Sequence, residues 1–239
     1  MRLTAVVLAL LLPLAACAGE ENIKATDIVT EVPWPEEETA TYRILDDDDE
    51  EVGTAELSVR PGDDGQVVLR QYYEFPETAF VNQAEVYVDL AELQPLRTSF
   101  RIEGPDGTRE CTAEYGDGRV DIHTVGEDGE HDDSLDVPIV AYDSWSDLFL
   151  WRTIEFSQGY ETEYADILSC VLARAQRIGA ELRVAGSETI KVPAGTFETW
   201  HVEIDAGREQ DAWFTTDESH VLVRYDNGEQ VFELTRVEE

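Results

Sequence analysis

Four histidines, three cysteines and 53 acidic side chains are where this chain of 239 residues could hold chemistry. None of His123, His131, His201 and His220 has a second His or Cys at the spacing a metal site uses. No metal and no cofactor is therefore assigned. The chain contains no Gly-x-Ser-x-Gly, no His-Glu-x-x-His and no phosphate-cradling glycine loop, so no catalytic residue is assigned either. Paired carboxylates are the usual acid–base equipment, but with so many acids some must be neighbours, and their pairing discriminates nothing. Two acidic runs, Asp46 to Glu51 and Glu127 to Asp133, invite a calcium reading. Neither has the alternating ligands, central Gly and twelfth-position Glu of an EF-hand loop, and both read as solvated loops. His201 lies in a segment where Trp200, Val202 and Ile204 share the opposite face, so its ring is expected to point outward.

The cysteines say more. Residues 1–16 carry one Arg, an apolar run from Leu3 to Leu14 and small residues before Cys17, which is the pattern of a secretory signal. That run is too short for a comfortable membrane span. Leu14-Ala15-Ala16-Cys17 resembles the bacterial lipobox, in which the Cys sulfur receives diacylglycerol and the Cys becomes the new N-terminus. Acylated Cys17 would anchor the protein to a membrane without a transmembrane helix. With Cys17 acylated, Cys111 and Cys170 remain, and outside the cytoplasm a disulfide between them is expected, two separate buried thiols being the alternative.

Charge narrows the partners. A net charge of −36 repels nucleic acid, and a mean hydropathy of −0.33 excludes a polytopic membrane protein. Of the 17 basic residues 15 are Arg and only Lys24 and Lys191 are Lys. That balance resembles proteins adapted to high salt, where dense ions screen carboxylate repulsion. Anionic headgroups would also repel such a body, so it should hang from its lipid and not lie on the bilayer. Residues 17–40, acidic and Pro-bearing, read as the lipidated Cys and a solvated tether. Trp34 within it is either a docking element or a residue that packs the tether onto its own domain.

From Thr41 onward the apolar period is two. Ala55, Leu57 and Val59 alternate with polar residues, as do Val67 to Phe75, Val86 to Leu90, and Leu96, Thr98, Phe100 and Ile102. Such alternation predicts antiparallel strands with one face toward water. Pro61 to Gly65, Pro105 to Gly107, Gly116 to Gly118 and Asp226 to Gly228 are the turns between them. A short helix is expected over Asp143–Trp151. Ala165–Gln176 is ambiguous between helix and strand, with strand from Ala180 onward. One domain, residues 41–239, follows.

The C-terminal third carries a resemblance. Val184 to Trp200, with Val192-Pro193-Ala194-Gly195-Thr196-Phe197 as its distinctive part, resembles a signature of exported bacterial proteins, the domain-of-unknown-function family 3108. Trp213-Phe214, His220 to Tyr225 and Phe232 to Leu234 fit its downstream strands, and Leu93–Arg101 and Trp151 to Gly159 fit more loosely. Physically the signature is a hairpin corner: Pro193 ends one strand, Gly195 permits positive φ and Thr196-Phe197 restarts the next. The resemblance implies an all-β fold with minor α: a strongly curved antiparallel sheet or half-open barrel, similar to lipoprotein carriers, with one or two short helices. It implies no activity.

Three functions remain. In the first, a lipid-anchored, extracytoplasmic binding module holds an apolar or amphipathic ligand, or an envelope protein, on its curved sheet, with Tyr42, Tyr73, Phe100, Trp200 and Phe232 as candidate liners. The second is an interaction protein without a ligand pocket, its partner held on a sheet edge. A hydrolase is third. An enclosed apolar pocket of about 300–1,000 Å³ would separate the first from the second.

Overall fold

The computed structural model describes residues 23–171 and 174–238. The leader 1–16 and Cys17 lie outside the described residues. Alternation becomes strand wherever it was expected. The first half of the chain gives β1 (Glu38–Leu45), β2 (Glu51–Pro61), β3 (Gln66–Phe75), β4 (Phe80–Asp89), β5 (Pro95–Gly104), β6 (Gly107–Gly116), β7 (Arg119–Gly126) and β8 (Gly129–Asp136). The second half gives β9 (Tyr142–Asp143), β10 (Glu161–Leu168), β11 (Gln176–Val192), β12 (Gly195–Asp205), β13 (Glu209–Thr215), β14 (Leu222–Asp226) and β15 (Val231–Glu238). Between β9 and β10 lies helix α1 (Asp147–Leu150), flanked by the 3-10 turns Ser144–Ser146 and Trp151–Thr153. Asp143 caps this run by accepting from the Trp145 N–H at 3.0 Å.

The strands form one open sheet in the order β8-β7-β6-β5-β4-β3-β2-β1-β15-β14-β13-β12-β11-β10-β9. Two meanders meet where β1 pairs β15, and the neighbours are antiparallel except the short β9–β10 pair. Tight turns fix the register. Asp117 and Gly118, both at positive φ, link β6 to β7 as a two-residue turn whose twist matches the strands. Register shifts in β1–β2, β1–β15, β4–β5, β11–β12 and β13–β14 add local twist and curl the sheet. The β4–β5 shift skips Leu96, which stands exposed while Pro95 and Thr98 are buried, so the simple alternation expected there breaks. Leu90, at the end of its run, is exposed as well.

The curl tucks β10 inside the molecule. Its Tyr164, Ala165, Asp166 and Ile167 are all buried, because one face meets α1 and the other meets the inner face of β4–β7. Of the ambiguous segment Ala165–Gln176, the part to Leu168 is strand in β10 and Gln176 opens β11, while residues 172–173 lie outside the described residues. Inside the curl α1 and its turns bury Leu148, Phe149, Leu150 and Trp151 against Tyr42, Leu69, Phe214 and Leu234.

Residues 23–37, expected as a solvated tether, also belong to this interior. Ile28 and Trp34 are buried, the Thr30 N–H donates to the Thr153 carbonyl at 2.9 Å, and Tyr142 OH donates to Asp27 at 2.9 Å. Trp34 meets Phe149 edge-on, and the Arg152 guanidinium lies over its ring, so of its two readings the structure realises packing onto its own domain. The acids that suggested a solvated tether misled, because Ile28, Val32 and Trp34 recur among them and pack into the core. The two acidic runs differ. Asp46–Glu50 is an exposed turn closed by Asp46 Oδ1, whereas 129–133, expected as loop, forms the first part of β8.

Candidate functional site

Strands β4–β8 form a wing whose inner side chains stand in cross-strand rows. Ala84, Phe100, Cys111, Thr124 and His131 make one row. The end of β10 covers it: Ala165, Ile167 and Cys170 pack on Ala84, Phe100 and Cys111, and a disulfide joins Cys111 to Cys170 with the Cα atoms 5.8 Å apart. One row nearer the hairpin tips stand Asn82, Ile102 and Arg109, and beyond them Phe80, Gly104 and Gly107. Gly104 lets the Phe80 ring lie close over the strand, since a side chain there would displace that ring.

Past the disulfide the cover ends. A groove of about 720 Å³ opens on the inner face, with Phe80 and Ile102 on its floor, Arg109, His131 and Arg174 along it, and Asp106, Glu127 and Asp128 at the hairpin tips. Arg109 is held by Nη2 donating to the Cys170 carbonyl at 3.3 Å and by its guanidinium over the Phe100 ring. Its Nε is buried, and among the described residues it has no hydrogen-bond partner and Arg109 forms no ion pair. In the same row, across Ile102, Asn82 Oδ1 is likewise buried and unbonded. Each such orphan costs about 1–3 kcal/mol, and in a native protein it calls for a reason.

The five aromatic residues expected to line a site do not gather there. Tyr42 is buried and donates to the Leu222 carbonyl at 2.9 Å. Phe232 packs between Tyr73 and Tyr225, Phe100 stacks on Trp145, and Trp200 stacks on Phe156. They fill the interior, because their inward parity faces α1 and residues 23–37. Phe100 alone approaches the groove, from beneath Arg109. The Val192–Phe197 corner is a hairpin: Val192 pairs Gly195 across Pro193-Ala194, and the Ala194 N–H ties it to the Leu234 carbonyl at 3.0 Å.

Three interior aspartates were not anticipated. Asp143 Oδ2 accepts from Thr98, Tyr115 and Ser169, each at 2.6 Å. Asp147 accepts from Tyr164 OH at 2.7 Å, which in turn accepts from Trp151 Nε1. Asp166 Oδ1 is buried without a partner. Burial holds all three carboxyls above their ordinary range, Asp147 and Asp166 well above it, each of these two raised further by a neighbouring carboxylate. Among the described residues no three His, Cys, Asp or Glu side chains are placed to hold a metal ion. His201 lies on the outer face, as expected, stacked on Trp213 and bonded to Asp211 at 2.6 Å. His123 meets Asp132 at 2.8 Å.

The fold has likenesses among solved structures. A beta-barrel-like protein of domain of unknown function DUF1849 from Brucella abortus is 12% identical, with 88% of this chain and 98% of that one covered at a TM-score of 0.52. A DUF1089 family protein from Pseudomonas aeruginosa is 13% identical, with 72% and 89% covered at a TM-score of 0.40. No curated protein matches. The family described as protein of unknown function (DUF3108) matches residues 37–235, nearly all of the strands above, and the chain belongs to that family.

Proposed function

We propose that the protein is a lipid-anchored, extracytoplasmic binding module that takes an amphipathic ligand in the groove of the β4–β8 wing. One observation carries this reading: among the described residues, α1, residues 23–37 and β10 cover the inner face, and beyond the disulfide the exposed Phe80 and half-buried Ile102 line an open groove beside Arg109. Phe80 is 37% exposed, unusual for an inward-facing aromatic side chain. The lipobox at Cys17 supports the address, and no helix among the described residues is long and apolar enough to cross a membrane. Cys17→Ser should release the protein from membranes; retention after a high-salt wash would overturn the anchor. For the ligand, native mass spectrometry of the acylated protein should show a small-molecule adduct that Ile102→Asp abolishes. A bare protein mass in the wild type would sink the binding reading.

A second reading, an interaction protein with its partner on a sheet edge, is favoured by β8. That strand ends the sheet, is exposed on most of its length and has one edge without a strand partner among the described residues. Cross-linking from a photoreactive residue at Asp132 to one envelope protein would favour it over the first.

A further inference from the structure

The groove has a charge pattern as well as an apolar floor. Arg109 stands two residues inside the β5–β6 tip, and the Glu127 carboxylate, from the β7–β8 turn, lies against Gly107 at that tip, so a cation and an anion line the same groove at successive inward positions. Asp106, Asp128 and Glu130 add negative charge to the lining, and Arg174 adds positive charge. A purely anionic ligand would meet a body of net charge −36 and the acidic tips, and a purely cationic one would leave Arg109 unanswered. A molecule carrying both charges answers both ends without net repulsion.

An acylated Cys17 would tether the domain to a bilayer, the source of such a molecule: Ile23, packed by Gly179 at the end of the wing opposite the groove, is only six residues further along the chain.

Resting on the ligand-site reading of this groove, we propose that it takes a zwitterionic membrane phospholipid. The phosphodiester sits on Arg109, the ammonium sits among Glu127, Asp128 and Asp106, and the glyceryl and acyl portion lies over Phe80 and Ile102. Guanidinium–phosphate contacts are charge-assisted and strong, and Arg109, stacked on Phe100, is already oriented for one.

The test is native mass spectrometry of the mature acylated protein titrated with three monomeric short-chain amphiphiles: dihexanoyl phosphatidylethanolamine, dihexanoyl phosphatidylglycerol and octyl glucoside. The zwitterionic lipid should form a one-to-one adduct at several-fold higher occupancy than the anionic one. Arg109→Gln should weaken that adduct by about tenfold or more, Arg109→Lys by less, and Glu127→Gln with Asp128→Asn should erase the preference for the zwitterion. An intact Cys111–Cys170 disulfide and an unchanged urea midpoint certify the fold of each variant. Equal or better binding of the anionic lipid to the wild type, or indifference to Arg109→Gln, overturns the headgroup assignment. Octyl glucoside bound as well as either lipid, and lost in Ile102→Asp, overturns the headgroup while the groove stands. Failure of all three to bind overturns both.

Discussion

The Tyr115 hydroxyl donates to Asp143 Oδ2 at 2.6 Å and thereby joins β6 of the wing to the first turn of the interior helix. Thr98 from β5 and Ser169 from the end of β10 donate to the same oxygen. One carboxylate oxygen thus ties the neighbouring strands β5 and β6 to the end of β10, which the sheet's own ladder leaves apart from them. The curl closes here through side chains, beside a disulfide that closes it covalently, and the groove begins where this closure stops.

Interior carboxyls link stability to pH. Asp147 and Asp166 have folded-state pKa values well above their unfolded ones, chiefly because burial disfavours the charge. Their contribution is fully present below the unfolded value, about 4, and is lost as pH rises toward and through the folded one. Asp166→Asn should therefore flatten the decline of stability from pH 4 to 7.5, because each tenfold gain in proton affinity on folding is worth on the order of 1.4 kcal/mol. Urea titrations of both proteins at the two pH values measure the difference. Parallel declines would show that Asp166 ionises freely. Asp133, Glu163 and Asp217, all lowered, work in the opposite sense and cancel in the comparison.

Reduction should loosen the wing. The disulfide closes a loop of 59 residues, for which chain entropy gives roughly 4 kcal/mol, less any native strain. Cys111→Ser with Cys170→Ser should lower the urea midpoint by a corresponding amount. Amide exchange should rise first in β6 and at the end of β10, since Arg109 loses its anchor on the Cys170 carbonyl. Two thiols open to maleimide in the denatured, unreduced protein would remove the premise.

Strand alternation made most of the sheet legible, because period two is imposed by the pleat itself. Ala55, Leu57 and Val59, or Val86 and Val88, are buried as read. Pairing order across β1 and β15 was not legible, since nothing local marks which strands meet after 190 residues. The groove was missed for a more instructive reason. Arg109 shares its parity with Cys111 and Ala113, and Asp166 shares its parity with Tyr164: a charge on an inward position is a visible breach of pattern. Tyr42 and Phe232, aromatic residues at inward positions, fill the core instead, as such residues mostly do. Residues 23–37 were misread because composition outweighed the spacing of Ile28, Val32 and Trp34.

The buried ion pair of Glu38 and Arg152 should be the most sensitive polar contact. Arg152 meets both carboxylate oxygens, at 2.6 and 3.1 Å, and donates to the Ser219 and His220 carbonyls. Glu38→Gln leaves a buried guanidinium without its counter-charge, a loss of about 3–5 kcal/mol. A midpoint shift in urea well below that would mean water enters the site.

Salt should stabilise this protein, and the sheet shows where. On the outer face of β10–β13 like charges stand directly opposite: Glu163 with Glu181, Glu181 with Asp205, Glu203 with Asp211, and Asp205 with Glu209. Direct cross-strand neighbours of one sign oppose pairing. Lys24 on Glu163 and Arg183 on Glu203 relieve two of these carboxylates, but the row stays acid-rich. Raising salt from ~0.15 M to 1 M shortens the Debye length from about 8 to about 3 Å, which screens such neighbours. Sulfate would also strengthen apolar burial in any protein, so sodium chloride is the cleaner probe. The urea midpoint of the soluble form lacking the leader and Cys17 should rise markedly over this range, with a nearly constant slope against urea. Replacing Glu181 and Asp205 by Gln and Asn should reduce that rise, since both stand between two carboxylates. A midpoint indifferent to sodium chloride, in wild type and variant alike, would show that the row is already spaced widely enough to be neutral in its effect.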